Sequence, residues 1–309
     1  MRILITGASG YIGSTLAPRL LEEGHDLRAM ARDRPGALRA LDAGDEIEVI
    51  RGDVLSGEGL QRALEGVEVA YYLIHSMEGS ATGSFPERER RGAQNFADAA
   101  VRAQVGRIVY LGGVSGGSGN RSAHLASRQE VERILLRALP DSVALRASIV
   151  IGARSRSFRL MVRLVEHMPV LMLPAWRKYR TQPIDARDAI DLLVAAANAP
   201  QAAGRSLDIG GPEVLSYGEI IARIAELMLV GRPLLALNVT MTGLTARVAA
   251  AIAREDPDLI LALMRGLAGD LLSTGEDGAR LLGVDLHSFD SAVEHALGEW
   301  ESSEPLAAR

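Results

Sequence analysis

Short aliphatic and β-branched runs alternate with stretches of helical spacing through the first half of the chain. The runs fall at residues 2–6, 26–31, 47–51, 69–74, 107–111 and 143–146. Rich in Val, Ile and Leu and bounded by glycines, prolines or charged clusters, they predict buried strands. The intervening stretches 11–22, 35–43, 57–64, 86–103 and 122–139 predict helices. Repeated strand–helix units with right-handed crossovers give an α/β architecture, a doubly wound parallel sheet covered on both faces. Ligands of such sheets bind beyond the carboxyl ends of the strands.

Beyond Gly152 the pattern loses its regularity. Residues 155–167 predict a helix, 170–173 a short apolar run, 181–185 an extended lead into a helix at 187–198, and 205–209 a late strand returning to the sheet. Ser216 followed three residues later by Glu219 is a capping box. The remainder is predicted to be helical, with an apolar, sparsely charged stretch over 227–272.

Composition narrows the chemistry. The chain has 309 residues, 48% of them hydrophobic, enough for one large α/β domain with a smaller appendage. It has no cysteine, which excludes disulfides, a thiolate nucleophile and Cys-ligated zinc. A formal net charge of -5 argues against nucleic acid as a partner. The six histidines are scattered, with no spacing that predicts a metal site. With no signal-peptide pattern and no apolar run of bilayer length, the expectation is a cytoplasmic chain without a membrane span.

The first strand leads into Thr6-Gly-Ala-Ser-Gly-Tyr-Ile-Gly13 and a helix start. In that context the pattern predicts a diphosphate site: Gly7 for the tight turn, Gly10 for close approach, Gly13 for packing of helix on strand, and helix-end amides aimed at the phosphates. Ser9, Tyr11 and Ile12 complete the candidate loop. The second strand runs into Arg32-Asp33-Arg34, where a guanidinium favours the 2′-phosphate of NADP and a carboxylate the ribose of NAD. Arg32, with Arg34 nearby, points to NADP, and Asp33 keeps NAD open. After the third strand, Asp53 and Val54 offer an acceptor for the adenine amino group. An aspartate at such a place equally serves as a helix cap.

These motifs, together with Tyr71-Tyr-Leu-Ile-His-Ser-Met77, 146–152, 182–188 and 208–213, resemble the atypical and extended short-chain dehydrogenase/reductase superfamily, nearest its NmrA-like NAD(P)H-binding group with its complex I assembly relatives. The resemblance covers about residues 1–225. It implies a Rossmann fold over 1–154, with the sheet completed by parts of 175–211, and a smaller, mostly helical substrate region over 212–309. It further implies an NAD(P) cofactor, with Ile74, His75 and Ser76 along the nicotinamide-side ribose and 147–149 near the nicotinamide. Paired helices of the 86–103 and 122–139 type often form dimer interfaces in this superfamily, so the resemblance makes a homodimer a further expectation.

Typical members use a Ser, a Tyr and a Lys four residues after that Tyr. This chain has none of the three at the matching places: its strand end reads Leu111-Gly-Gly113 with Ser115 displaced, and His124-Leu-Ala-Ser-Arg128 stands at the Tyr-x-x-x-Lys position. His124 and Arg128 share one helical face, so His124 is the candidate proton donor and Arg128 the candidate ribose contact, with plain surface roles as the competing reading. His75, at a strand's carboxyl end, is a second candidate donor or a structural cap. Residues 87–91 read as a solvated charged turn, and Trp176 as the anchor of a loop. The expectation is an NADP-dependent oxidoreductase moving hydride to a small apolar carbonyl or enone. Its alternative is a non-catalytic NAD(P)H-binding sensor or assembly factor.

Overall fold

The computed structural model describes residues 1–41, 46–74, 85–114, 123–237, 269–304 and 306. Eight parallel strands form the central sheet: β1 (Arg2–Thr6), β2 (Asp26–Ala31), β3 (Ile47–Arg51), β4 (Val69–Tyr72), β5 (Arg107–Gly113), β6 (Val143–Ala147), β11 (Ser206–Ile209) and β14 (Glu276–Asp277). Their order across the sheet is β14-β11-β6-β5-β4-β1-β2-β3. The first three strands have the bounds that the apolar runs predict.

Alternate residues of each strand enter different cores. Ile3, Ile5, Tyr71, Val109 and Leu145 face α1 (Tyr11–Glu22), α2 (Arg34–Leu41) and α7 (Ala186–Ala196). Leu4, Ala70, Tyr72, Ile108 and Tyr110 face α3 (Leu60–Leu64), α4 (Phe85–Arg102) and α5 (Ala123–Ala138). Burial on both faces is why the strands read as continuous apolar runs.

A third core gathers α6 (Arg156–His167), α8 (Tyr217–Leu227) and α10 (Phe289–Glu301) around Ile149, Ile151, Leu171 and Leu173. The capping box on α8 forms as the sequence predicts: Ser216 Oγ accepts from Glu219 N at 3.2 Å, and Glu219 Oε2 accepts from Ser216 N at 2.7 Å. The connections use small two-stranded pairings, β7 (Val150–Ile151) with β10 (Ile184–Asp185), β8 (Leu171–Leu173) with β13 (Leu234–Ala236), and β9 (Arg180–Thr181) with β12 (Leu215–Ser216).

Two of these strands correct the expectation of a wholly helical remainder. β13 lies beside β8, and β14 forms an edge of the main sheet, pairing Leu207 with Glu276 and Asp208 with Asp277. β14 is too short to carry an apolar run; Asp208 places it, its Oδ2 accepting from Thr274 N at 2.8 Å and Gly275 N at 2.6 Å. The short α9 (Gly278–Leu282) follows directly. No helix among the described residues is long and apolar enough to cross a membrane. The apolar stretch assigned to 227–272 lies largely outside the described residues, at 238–268.

Candidate functional site

The turn after β1 is one that only glycine permits. Gly7 has φ +74°, and a Cβ there would sit 2.8 Å from Leu73 O. A Cβ on Gly13 would meet Gly7 O at 2.5 Å and Ala8 Cα at 2.8 Å, so the first turn of α1 lies directly on the turn. Gly10 occupies the N-cap position without a side-chain capping bond, and no acidic residue stands in the first turn. Ser9 and Gly10 are exposed. The result is an open, positive helix end fronted by exposed backbone, a cradle that fits a diphosphate.

Tyr11 divides its parts. Its backbone starts the helix, while its ring runs toward the segment after β7, where a Cβ on Gly152 would sit 1.9 Å from the phenol oxygen. Burial pushes its pKa well above the ordinary tyrosine value. Ile12 is half-buried beside the first core.

At the end of β2 the three charged residues separate. Asp33 folds over the start of α2, where a Cβ on Gly36 would meet its Oδ2 at 2.3 Å. Arg34 is tied by Nε to Val49 O at 3.0 Å, so its guanidinium belongs to β3 and not to a shared site with Arg32. Arg32 is exposed and makes no hydrogen bond or ion pair among the described residues. Asp53 forms a tight turn, Oδ1 accepting from Leu55 N at 2.8 Å and its carbonyl from Gly57 N at 2.9 Å. Val54 is buried, and Ile74 is half-buried past β4 in the same core. His75, Ser76, Ser115 and the side chain of His124 lie outside the described residues.

Arg128 lies in the interface of α4 and α5. Its Nε is 3.9 Å from Glu89 Oε2, and the same oxygen accepts from Ser127 Oγ at 3.0 Å. Both charged side chains are buried, beside the hydroxyls of Tyr72 and Tyr110. Burial pushes Tyr110 up to about 12 against the opposing pull of Arg128, and pushes Tyr72 up further with Glu89 adding to it. Arg88 and Glu89 are therefore not part of a solvated turn, as the charge run suggested. The run reads as solvated because its counter-charge, Arg128, is remote in sequence.

Sequence reasoning also missed Arg154. It donates to Ser14 Oγ at 3.1 Å, and its Cζ lies 5.9 Å from the Tyr11 ring centre. No local signal identifies it, because the contact spans 140 residues. Trp176 sits in a 3-10 turn, packed against the third core with its ring 6.2 Å from that of Tyr217.

An eight-stranded doubly wound sheet with a glycine cradle at the carboxyl end of its first strand defines a dinucleotide-binding fold. Residues 7–148 match the profile of an NAD(P)H-binding family. Over that span the chain carries an NAD(P)H-binding domain, as its motifs imply, and its relatives include dehydrogenases and reductases. It is 27% identical over 261 residues to a 2-alkyl-3-oxoalkanoate reductase of Stenotrophomonas maltophilia, covering 75% of this chain and 77% of that one. It is 32% identical over 117 residues to a 3-beta-hydroxysteroid dehydrogenase of Mycolicibacterium neoaurum, covering 35% of this chain and only 31% of that protein's length. The crystal structure of a UDP-glucuronic acid 4-epimerase from Bacillus cereus in complex with NAD superposes with a TM-score of 0.73 over 98% of this chain and 97% of the epimerase, at 18% identity. That likeness concerns the fold.

Proposed function

We propose that the protein is an NADP-dependent oxidoreductase that moves hydride between the cofactor and a small, mainly apolar carbonyl or enone. The observation that carries the cofactor half is the cradle itself, where Gly7 and Gly13 leave no room for a Cβ and α1 opens uncapped. In this reading the amides of 9–13 hold the diphosphate. Arg32 takes the 2′-phosphate, since Asp33 is turned onto α2 and Arg34 is bound to β3. Asp53 keeps Oδ2 for the adenine amino group, with Val54 and Ile74 flanking, and His75 and Ser76 follow along the nicotinamide-side ribose. When bound, the nicotinamide supplies or accepts the hydride.

The proton falls to the chain's own side chains. His124, or His75 in its place, is the proposed donor to the substrate oxygen, and Arg128 holds positive charge beside the ribose. The substrate class is supported by the two enzyme relatives, one named for an oxoalkanoate and one for a hydroxysteroid.

One observation favours a second reading. With Arg128 held against Glu89 and the Ser, Tyr and Lys replaced, a binding protein that senses NAD(P)H without turnover needs nothing the chain lacks. Calorimetry with NADPH and NADH, followed by a carbonyl panel on wild type, His124→Ala and Arg128→Ala, separates them. Oxidation of NADPH that falls at least tenfold in His124→Ala supports the reductase. Binding with no turnover of any carbonyl selects the sensor, and failure to bind either nucleotide overturns both.

A further inference from the structure

Arg154 stands where an anion would be needed. Its guanidinium is exposed, bonds only Ser14 Oγ and caps the Tyr11 ring, and has no ion pair among the described residues. Ser14 Oγ in turn donates to Tyr11 O at 3.1 Å, so the arginine is linked to the first turn of α1. That turn contains no acidic residue. A helix end carrying roughly half a positive charge and a full guanidinium charge are thus both tied to the first turn of α1, while the carboxylates of Glu299 and Asp185 act on the Tyr11 hydroxyl. The nearby Asp185 is engaged by Arg187, 2.6 Å from it. Both charges are positive, and four guanidinium N–H groups remain for an acceptor.

Its position is fixed from both sides. Tyr11 is pinned against Gly152, two residues before Arg154. Ser155 takes the N-cap position of α6 immediately afterwards, its N–H donating to Gly152 O at 3.0 Å and its carbonyl accepting from Arg159 N at 2.8 Å, so the backbone has little freedom to carry the guanidinium away. We propose that Arg154 is a phosphate-clamping residue that leaves Ser14 Oγ and closes on the diphosphate of the dinucleotide, tying the phosphate loop to the segment that enters the third core. This rests on the reading of the loop as a diphosphate site. It adds a contact from outside the 7–148 match, blind to the 2′-phosphate.

The test compares full-length wild type, Arg154→Met, Arg154→Lys and Arg32→Met by calorimetry against NADPH, NADH and adenosine 2′-phosphate, which has no diphosphate. Loss of charge-assisted hydrogen bonds predicts that Arg154→Met weakens NADPH and NADH by the same factor, about ten- to a hundredfold, and leaves adenosine 2′-phosphate unchanged. Arg154→Lys, which keeps the charge without the fork, falls in between and carries the test should the methionine variant fold poorly. Arg32→Met gives the opposite pattern, losing NADPH and adenosine 2′-phosphate while sparing NADH. Wild-type affinity for NADPH in Arg154→Met, or an equal loss of adenosine 2′-phosphate, overturns the clamp and leaves the cofactor assignment standing. A wild-type protein that binds no dinucleotide overturns the assignment itself and the clamp with it.

Discussion

Replacing Gly10 with alanine separates the ligand from the fold. Gly10 has φ −77° and ψ 167°, a backbone that any residue adopts. A Cβ there would meet only Gly7 O, at 3.2 Å, so a shift of a few tenths of an ångström accommodates it. The apo protein should lose no more than about 0.5 kcal/mol. The added methyl nonetheless stands on exposed backbone in front of the first-turn amides, where a phosphate must come close. Displacing one charge-assisted contact costs about 1.5 to 3 kcal/mol. At about 1.4 kcal/mol per tenfold, NADPH binding should weaken by roughly ten- to a hundredfold. Gly13→Ala is the contrast, because its Cβ would press on backbone atoms that no side-chain rotation can move, at 2.5 Å and 2.8 Å. There the helix propensity gain of about 1 kcal/mol opposes an overpacking cost of about 1 to 3 kcal/mol, so both melting temperature and affinity should fall. Thermal melting of the apo proteins and calorimetry with NADPH read the two effects separately. A Gly10→Ala protein that melts and binds NADPH like wild type refutes the assignment of this loop to a diphosphate.

Arg32→Met should weaken NADPH at least tenfold and leave NADH unchanged; an equal loss of both in calorimetry removes the 2′-phosphate role. Glu89→Gln takes the counter-charge from a buried guanidinium and should cost about 3 kcal/mol in urea unfolding, partly restored by the double variant with Arg128→Met. An unchanged midpoint for Glu89→Gln would show that the pair does not hold α4 to α5. Arg223 holds the Glu213 carboxyl below its ordinary value of 4.5, so this group's contribution is present above 4.5 and lost as pH falls through the lowered value. Arg223→Met should therefore melt below wild type at pH 7, with a gap that narrows as the pH drops below 4.5, and a gap independent of pH refutes the linkage.

How far the sequence carries depends on the range of the force involved. β1 to β3 and α1 have the bounds that periodicity and glycine placement predict, because these elements are set by neighbours within a few residues. The helix predicted over 57–64 is shorter, beginning at Leu60, since Gly57 and Gly59 both take positive φ. At the second strand's end the residue types pointed to a phosphate-binding pair, but local rules could not say which side chain turns back. Asp33 folds over its own helix start beside Gly36, whereas Arg34 crosses to Val49, a choice made by a tertiary neighbour. Glu89 and Arg128 show the same limit: each looks like a surface charge alone, and only the packing of α4 on α5 brings them together.

Tyr11 shows why the phosphate loop and the C-terminal core are one problem. As a residue of a glycine turn it contributes only a backbone amide, and any side chain would serve. In the folded chain its ring occupies the space that a side chain at Gly152 would need, its carbonyl accepts from Ser14 Oγ, and Arg154 lies over its face. A bulkier residue at 152 would displace the ring, so this glycine, far from the fingerprint, sets where Tyr11 lies, although it meets a side chain where Gly7 and Gly13 meet backbone. The segment carrying Gly152 and Arg154 leads directly into α6, whose buried face belongs to the third core. Whatever settles against this loop is therefore mechanically joined to the helices of the third core, and the Tyr11 ring together with the Arg154–Ser14 hydrogen bond makes the joint.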